Sequence, residues 1–154
     1  MHASQTGQCP LCNEDGGRVV WRSEGWRLVH AGEAAFPAFY RLICDRHVAE
    51  WSDLPASERA LAMEAVTLVE CLLREHMQPD KINLATLGNV VPHLHWHVIA
   101  RFGWDSHFPN PVWGAELRLS PQPEIAAVVQ ALPALEQALA SRLDAHFSEG
   151  GTHG

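Results

Sequence analysis

The chain lacks a surplus of basic residues, since 11 lysines and arginines stand against 18 aspartates and glutamates, a formal net charge of −7. A broad nucleic-acid surface needs a basic face, so the composition argues against nucleic acid as a partner. A small phosphate ligand is still possible. Backbone N–H groups, hydroxyls and histidines in a pocket can hold a phosphate whatever the global charge.

A long apolar run is also missing. No stretch approaches the roughly 20 residues of a membrane helix, and no basic start followed by an apolar segment marks a signal peptide. We therefore expect a cytoplasmic protein without a membrane contact, in which the four cysteines form no disulfide framework. In that setting Cys9-Pro-Leu-Cys12 indicates metal or redox chemistry. Cys44 and Cys71 are expected to be buried apolar positions.

The apolar spacing predicts an α+β fold in one domain spanning residues 1–154, with a mainly antiparallel five-stranded sheet and one long central helix. The core covers about residues 9–114, with a C-terminal helical extension over about 123–147. Pro133 should kink or split that extension. Strands are predicted over 19–21, 26–30, 39–45, 82–87 and 95–101, and the long helix over 56–77. Residues 103–122 should be irregular.

Three histidines alternate with apolar residues in His93-Leu94-His95-Trp96-His97. Because side chains alternate faces along a strand, the three imidazoles should share one face while Leu94 and Trp96 pack on the core. A solvated surface strand is one alternative, but such strands seldom need three consecutive imidazoles. A metal site is another, because histidines on a strand can ligate zinc.

This stretch, continued by Val98-Ile99, resembles the signature of the histidine-triad (HIT) superfamily, which is His-φ-His-φ-His-φ-φ with φ apolar. Asn83, Gly88 and Asn89 stand where that family has an asparagine on a strand, then a glycine and an amide or hydroxyl residue. The segments 44–54, 81–101 and 107–114 look like a bacterial branch of the family. The resemblance covers about residues 9–114 and implies the HIT-like fold.

The resemblance also implies a hydrolase acting on dinucleoside polyphosphates or nucleoside phosphoramidates. His95 would attack the α-phosphorus and form a nucleotidyl-histidine, a reaction that suits a neutral imidazole. His97 would deliver a proton to the leaving group, and His93 would orient the others or bind metal. Asn89 would hydrogen-bond the phosphate or bridging oxygen, and Asn83 would support the pocket or ribose. Ordinary turn chemistry is the alternative for both asparagines.

Some relatives carry a Cys-x-x-Cys pair, an upstream histidine and the first triad histidine around one zinc. Cys9, Cys12, His47 and His93 follow that order here and would make a closed structural site. These relatives form the galactose-1-phosphate uridylyltransferase branch, which has glutamine at the third triad position. His97 in its place favours a hydrolase over a transferase. No organic cofactor is expected.

The resemblance further implies a homodimer. Trp104, Phe108 and Trp113 could cover the cleft, stack on a base, meet a partner subunit or simply pack in the core. Two other functions remain open at this point. One is a zinc-dependent hydrolase in which the metal activates water, and the other is a non-catalytic nucleotide-binding module.

Overall fold

The computed structural model describes residues 6–150, which contain five strands and three α-helices in an α+β arrangement, as expected. Residues 1–5 and 151–154, which the expected domain also includes, lie outside the described part. The strands are β1 (Arg18–Ser23), β2 (Trp26–His30), β3 (Phe39–Cys44), β4 (Lys81–Ala85) and β5 (His95–Arg101). The helices are α1 (Pro10–Asn13), α2 (Ala56–Met77) and α3 (Gln122–Gly150).

The five strands form one antiparallel sheet in the order β1-β2-β3-β5-β4. β1 and β2 are joined by a two-residue hairpin in which Gly25 has φ 93°, a conformation that suits glycine. The chain then crosses through α2 before returning as β4 and β5. This route places β5, the histidine strand, between β3 and β4 in the interior of the sheet.

One face of the sheet is covered by the two long helices. Their apolar stripes meet alternate residues of the strands in a single core cluster. Members from the sheet include Leu28, Leu42 and Val98, each fully buried. The stripe predicted for the long helix is confirmed, because Val66, Val69 and the neighbouring apolar positions of α2 are buried.

The opposite face carries the alternate residues of the same strands and has much less helix cover. Phe39 and Ile99 make a small second cluster there with Phe36. His95 and His97 are an even number of positions from Ile99 along β5, so their side chains also lie on this face. The helix-covered face thus anchors the strand, and the other face is left to bind a ligand.

Several expectations about the elements need correction. Pro133 does not split the C-terminal helix, which runs as one element from Gln122 to Gly150, because Leu132 and Leu135 on either side of the proline are held in the core. The C-terminal helix also continues beyond the expected end near residue 147, as far as Gly150. Cys71 is exposed rather than buried, whereas Cys44 is buried as predicted. Residues 103–121 contain no helix or strand, as expected.

No helix within residues 6–150 combines the length and the apolar character needed to span a membrane.

Candidate active site and metal centre

His95 is the first residue of β5, and its ring is held in one orientation by the backbone. Its Nδ1 lies 2.6 Å from the carbonyl oxygen of His93. A carbonyl can only accept, so Nδ1 carries the proton and donates it to that oxygen. Nε2 is therefore the unprotonated nitrogen. The His93 carbonyl, in the backbone turn before β5, thus selects the His95 tautomer in which Nε2 carries the free lone pair.

A cavity of about 500 Å³ lies over the open face of the sheet, a volume within the range of small-ligand sites. His95 and His97 form part of its wall, together with Asn89 from the loop after β4. The wall also includes Arg41 and Trp113. A ligand in this cavity would contact two imidazoles at once.

His97 is packed between aromatic rings. Its ring centre lies 5.5 Å from that of Phe39, 5.0 Å from that of Trp113 and 4.8 Å from that of His95, each in an edge-on arrangement. The Nδ1 atom of His97 is buried and has no hydrogen-bond partner within the described residues. An unpartnered buried nitrogen beside a cavity is costly unless a ligand or water meets it.

Burial keeps both imidazoles neutral. It lowers the pKa of His95, although the hydrogen bond to the His93 carbonyl opposes this effect, and the charge of Arg41 lowers the pKa further. The pKa of His97 falls to about 3, mainly because of burial and also because of the neighbouring charges of His95 and Arg41. Both groups are therefore in the neutral, nucleophilic form near pH 7.

The low pKa of His97 predicts a pH dependence of stability. Its pKa is about 3 in the folded chain against an ordinary 6.5, so as the pH falls below 6.5 the unfolded chain takes up a proton that the folded chain does not. The free energy of unfolding should therefore fall with pH in this window, by about 1.3 kcal/mol from this group between pH 7.0 and 5.5. Urea unfolding at both pH values measures it.

The His97→Asn and His97→Gln variants should show a smaller loss of unfolding free energy between these pH values than the parent. Part of the loss should persist, because burial also lowers the pKa of His93 and His95. An equal loss in parent and both variants would contradict the prediction.

The histidine that orients His95 belongs to a second cluster. The ligand atoms of Cys9, Cys12, His47 and His93 all fall within 4.8 Å of one another. Cys9 caps α1, and the backbone N–H of Cys12 donates to the Cys9 carbonyl at 3.2 Å, which turns the two thiols toward the same point. The four residues named from the sequence are thus brought together and could hold a metal ion.

The distances within the cluster fit a tetrahedral ion. The Nδ1 atoms of His47 and His93 are 3.2 Å apart, and the Cys12 Sγ lies 3.3 Å from the first and 3.5 Å from the second. Zinc with tetrahedral nitrogen and sulfur ligands would place two nitrogens about 3.3 Å apart and a nitrogen and a sulfur about 3.5 Å apart. The donor set therefore fits zinc in chemistry, and these three distances fit its tetrahedral spacing.

His93 has the tautomer that a metal ligand needs. Its Nε2 donates to the Cys44 carbonyl at 2.5 Å, so Nδ1 is unprotonated and faces the cluster. The expectation that His93 shares a strand face with the other two histidines is wrong, because β5 begins only at His95. The backbone turns before the strand, and His93 meets the cysteines while its carbonyl orients His95.

Arg27 holds the cysteine-bearing turn against the sheet. Its guanidinium donates to the carbonyls of Leu11 and Glu14 at 2.8 and 3.2 Å and forms an ion pair with Asp45. Its Nε also donates to the Asp15 carbonyl at 2.9 Å. These contacts fix the N-terminal segment within α1 and just after it.

The asparagines are separated by the fold. Asn89 lines the cavity. Asn83 is not among the residues that line it, and its Oδ1 accepts a hydrogen bond from Arg101 at 2.8 Å. Arg101 is in turn paired with Asp105 in the buried base of the 103–121 segment.

Sequence reasoning did not single out Arg41, although one signal was available. Arg41 is the only charged residue in Phe39–Cys44, an otherwise apolar and largely buried strand. A charge at such a position is expensive unless it has a partner or a ligand.

Among the aromatic residues considered above, Trp113 is the one that reaches the cavity, and it is half exposed. Trp104 instead stacks on Phe102.

The HIT domain family matches residues 13–103 of the chain. Curated relatives from two strains of Mycobacterium tuberculosis, named AP-4-A phosphorylase, are 29% identical over 119 residues. The alignment covers 71% of this chain and 60% of the relative, so the chain spans about three fifths of the length of these proteins.

Solved structures are also similar. A histidine triad protein from Bradyrhizobium japonicum has 30% identity and a TM-score of 0.64, covering 78% of this chain and 90% of its own. A Zn-bound histidine triad family protein from Mycobacterium smegmatis has 17% identity and a TM-score of 0.55, covering 86% of this chain and 99% of its own. The second likeness supports the fold alone.

Proposed function

The chain belongs to the histidine-triad family, and we propose that it hydrolyses a nucleotide conjugate at the α-phosphate through a nucleotidyl-histidine intermediate. The conjugate is a dinucleoside polyphosphate or a nucleoside phosphoramidate. The observation that carries the proposal is the hydrogen bond from His95 Nδ1 to the His93 carbonyl. It leaves Nε2 unprotonated in a cavity large enough for a nucleotide.

In the first step Nε2 of His95 attacks the α-phosphorus, and the bond from phosphorus to the leaving group breaks with its electron pair going to that group. Nδ1 keeps its proton, and the positive charge that develops on the ring is stabilised by the His93 carbonyl dipole. Water then attacks the same phosphorus and releases one proton to solvent, the P–N bond breaks, and its electron pair returns to His95 Nε2 as the mononucleotide leaves.

His97 lies beside His95 and would guide proton transfer to the leaving group. It is neutral in the empty cavity. A bound phosphate would raise its pKa, because a nearby negative charge favours the imidazolium form. Asn89 would donate its side-chain N–H to a phosphate oxygen. Asn83 would act indirectly, by holding Arg101.

The cluster of Cys9, Cys12, His47 and His93 would hold zinc, because its spacing and the His93 tautomer fit that ion. When bound, zinc would fix the N-terminal turn and the His93 backbone rather than activate water. Four protein ligands leave no open position on a tetrahedral ion. The zinc-dependent hydrolase is therefore the less favoured alternative.

Intact-protein mass spectrometry under non-acidic conditions tests the covalent step. After brief incubation with adenosine 5′-phosphoramidate, the parent should gain the mass of one nucleotidyl group, and His95→Asn should gain none. Hydrolysis that a chelator stops, without any adduct, would support the metal mechanism instead. Nucleotide binding without adduct or turnover in the parent would support the non-catalytic binding module.

We also propose that residues 1–154 act as one domain, since α3 shares a core with α2 and the sheet, and that two copies form a dimer. β4 is an edge strand, and exposed apolar residues follow it, including Leu87 and Val90, which is 91% exposed. Sedimentation equilibrium tests the dimer, and a monomer at micromolar concentration would contradict it.

A thiol-rich metal site suits a reducing compartment such as the cytoplasm, and cell fractionation tests that placement.

A further inference from the structure

Arg41 places a positive charge in the cavity at the level of His97. The Cα atoms of these two residues are paired across β3 and β5, whereas His95 is paired with Ile43. Paired residues of neighbouring strands stand side by side on one face of the sheet. Arg41 and His97 therefore extend from neighbouring positions on one face of the sheet, His95 extends from the next pair of positions, and all three line the cavity.

The charge of Arg41 has no acidic partner. The buried arginines Arg27 and Arg101 each contact a carboxylate, at 2.5 and 2.8 Å. Within residues 6–150 no carboxylate oxygen lies within 4.0 Å of Arg41. It donates one hydrogen bond, from Nη1 to the Gly16 carbonyl at 3.1 Å, and its guanidinium carbon lies 5.2 Å from the centre of the Phe39 ring.

This leaves most of the donor capacity of Arg41 free. A guanidinium has five N–H donors in a planar fork that matches phosphate oxygens, and within residues 6–150 only one of those of Arg41 has a hydrogen-bond acceptor. Burial lowers the pKa of Arg41, and the distant carboxylate of Glu33 offsets this only in part. An anion in the cavity would relieve the desolvation of this charge.

We propose that Arg41 binds the first phosphate of the leaving group and thereby selects nucleoside polyphosphates over nucleotides joined to a neutral amine. The inference rests on the proposed function, because that function places the α-phosphate at His95. With the α-phosphorus at Nε2, a phosphate attached through the bridging oxygen extends toward His97 and reaches the free fork of Arg41.

The chemistry of the leaving group agrees with this placement. When the bond from the α-phosphorus to the bridging oxygen breaks, its electron pair stays on that oxygen. A terminal phosphate with a second pKa near 6 leaves as an anion at about pH 7 without needing a full proton. Arg41 would offset the developing charge. An amine leaving group instead carries no negative charge for Arg41 to offset, and it must take up a proton, the step assigned above to His97.

Isothermal titration calorimetry with AMP and ADP tests the inference, since the β-phosphate of ADP stands for the first phosphate of the leaving group. The parent should bind ADP at least about tenfold more tightly than AMP, as expected for charge-assisted hydrogen bonds to a phosphate. Arg41→Met should lose this preference while its AMP affinity changes by less than about threefold.

Arg41→Lys keeps the charge but not the fork, so it should retain an intermediate preference for ADP. Arg22→Met, at an exposed arginine paired with Asp15, should behave as the parent. An equal loss of AMP and ADP affinity in Arg41→Met would overturn the inference and place Arg41 at the α-phosphate or in shaping the cavity. An unchanged ADP preference would overturn it as well. If the parent bound neither nucleotide, the proposed function would fail and the inference with it.

Discussion

Replacing His95 with asparagine should lower kcat/KM for a nucleotide conjugate by roughly a thousandfold or more, because it removes the nucleophile and leaves only binding and electrostatic contributions. The Nε2 atom of His95 is the free nitrogen that the His93 carbonyl orients into the cavity. Steady-state kinetics with adenosine 5′-phosphoramidate and with a dinucleoside polyphosphate would measure the effect on both substrate classes.

Asparagine is small enough to leave the cavity open, so His95→Asn should still bind mononucleotides with affinity close to that of the parent. His107→Asn is the matched control, since His107 is a histidine outside the cavity lining that contacts Phe36 and Ser106. It should retain parental turnover within a few fold. Turnover of His95→Asn within tenfold of the parent would rule out His95 as the nucleophile.

Removing the metal should lower stability by about 4 kcal/mol or more. A ligand present at a thousand times its dissociation constant contributes that much to the folded state. For a chain of this size the corresponding fall in Tm is roughly 10 °C. Thermal unfolding of the purified protein before and after chelation would measure it, with zinc content determined by elemental analysis in the same samples.

Two exposed cysteines provide a matched comparison for this prediction. Cys12 belongs to the cluster and Cys71 does not, yet both side chains are exposed, so serine replaces each at similar burial cost. Cys12→Ser should lose zinc and most of the stability that the metal contributes. The free energy of unfolding of Cys71→Ser should stay within about 0.5 kcal/mol of that of the parent. Equal stability of the two variants, or a parent purified without metal and insensitive to chelator, would contradict a structural zinc.

The metal and the nucleophile are connected through one residue. The side chain of His93 belongs to the cluster, and its carbonyl accepts the proton of His95 Nδ1. Loss of zinc should therefore disturb the orientation of His95 even though no metal ligand touches the substrate. An effect of chelation on turnover is consequently not enough to identify a catalytic metal, and the adduct experiment is the one that separates the two mechanisms.

The elements could be predicted closely because their signals are local. The apolar stripe of α2 and the alternation in β5 follow from helix and strand periodicity, and the observed bounds of these two elements agree with those expected. The fate of Pro133 could not be predicted in this way. Whether a helix continues through a proline depends on the packing of both flanking turns, here the buried Leu132 and Leu135.

In the candidate site, too, local sequence patterns predicted some features, and contacts between distant residues decided the others. The sequence alone determined the family, the three histidines and the Cys9, Cys12, His47 and His93 pattern, because motif spacing reports which residue types recur together. Only the tertiary structure decided that His93 turns away from its two neighbours, that Asn83 is held by Arg101, and that Arg41 lines the cavity with no acidic partner among residues 6–150. Strand register, tautomer and burial decide these points, and all three depend on residues distant in the chain.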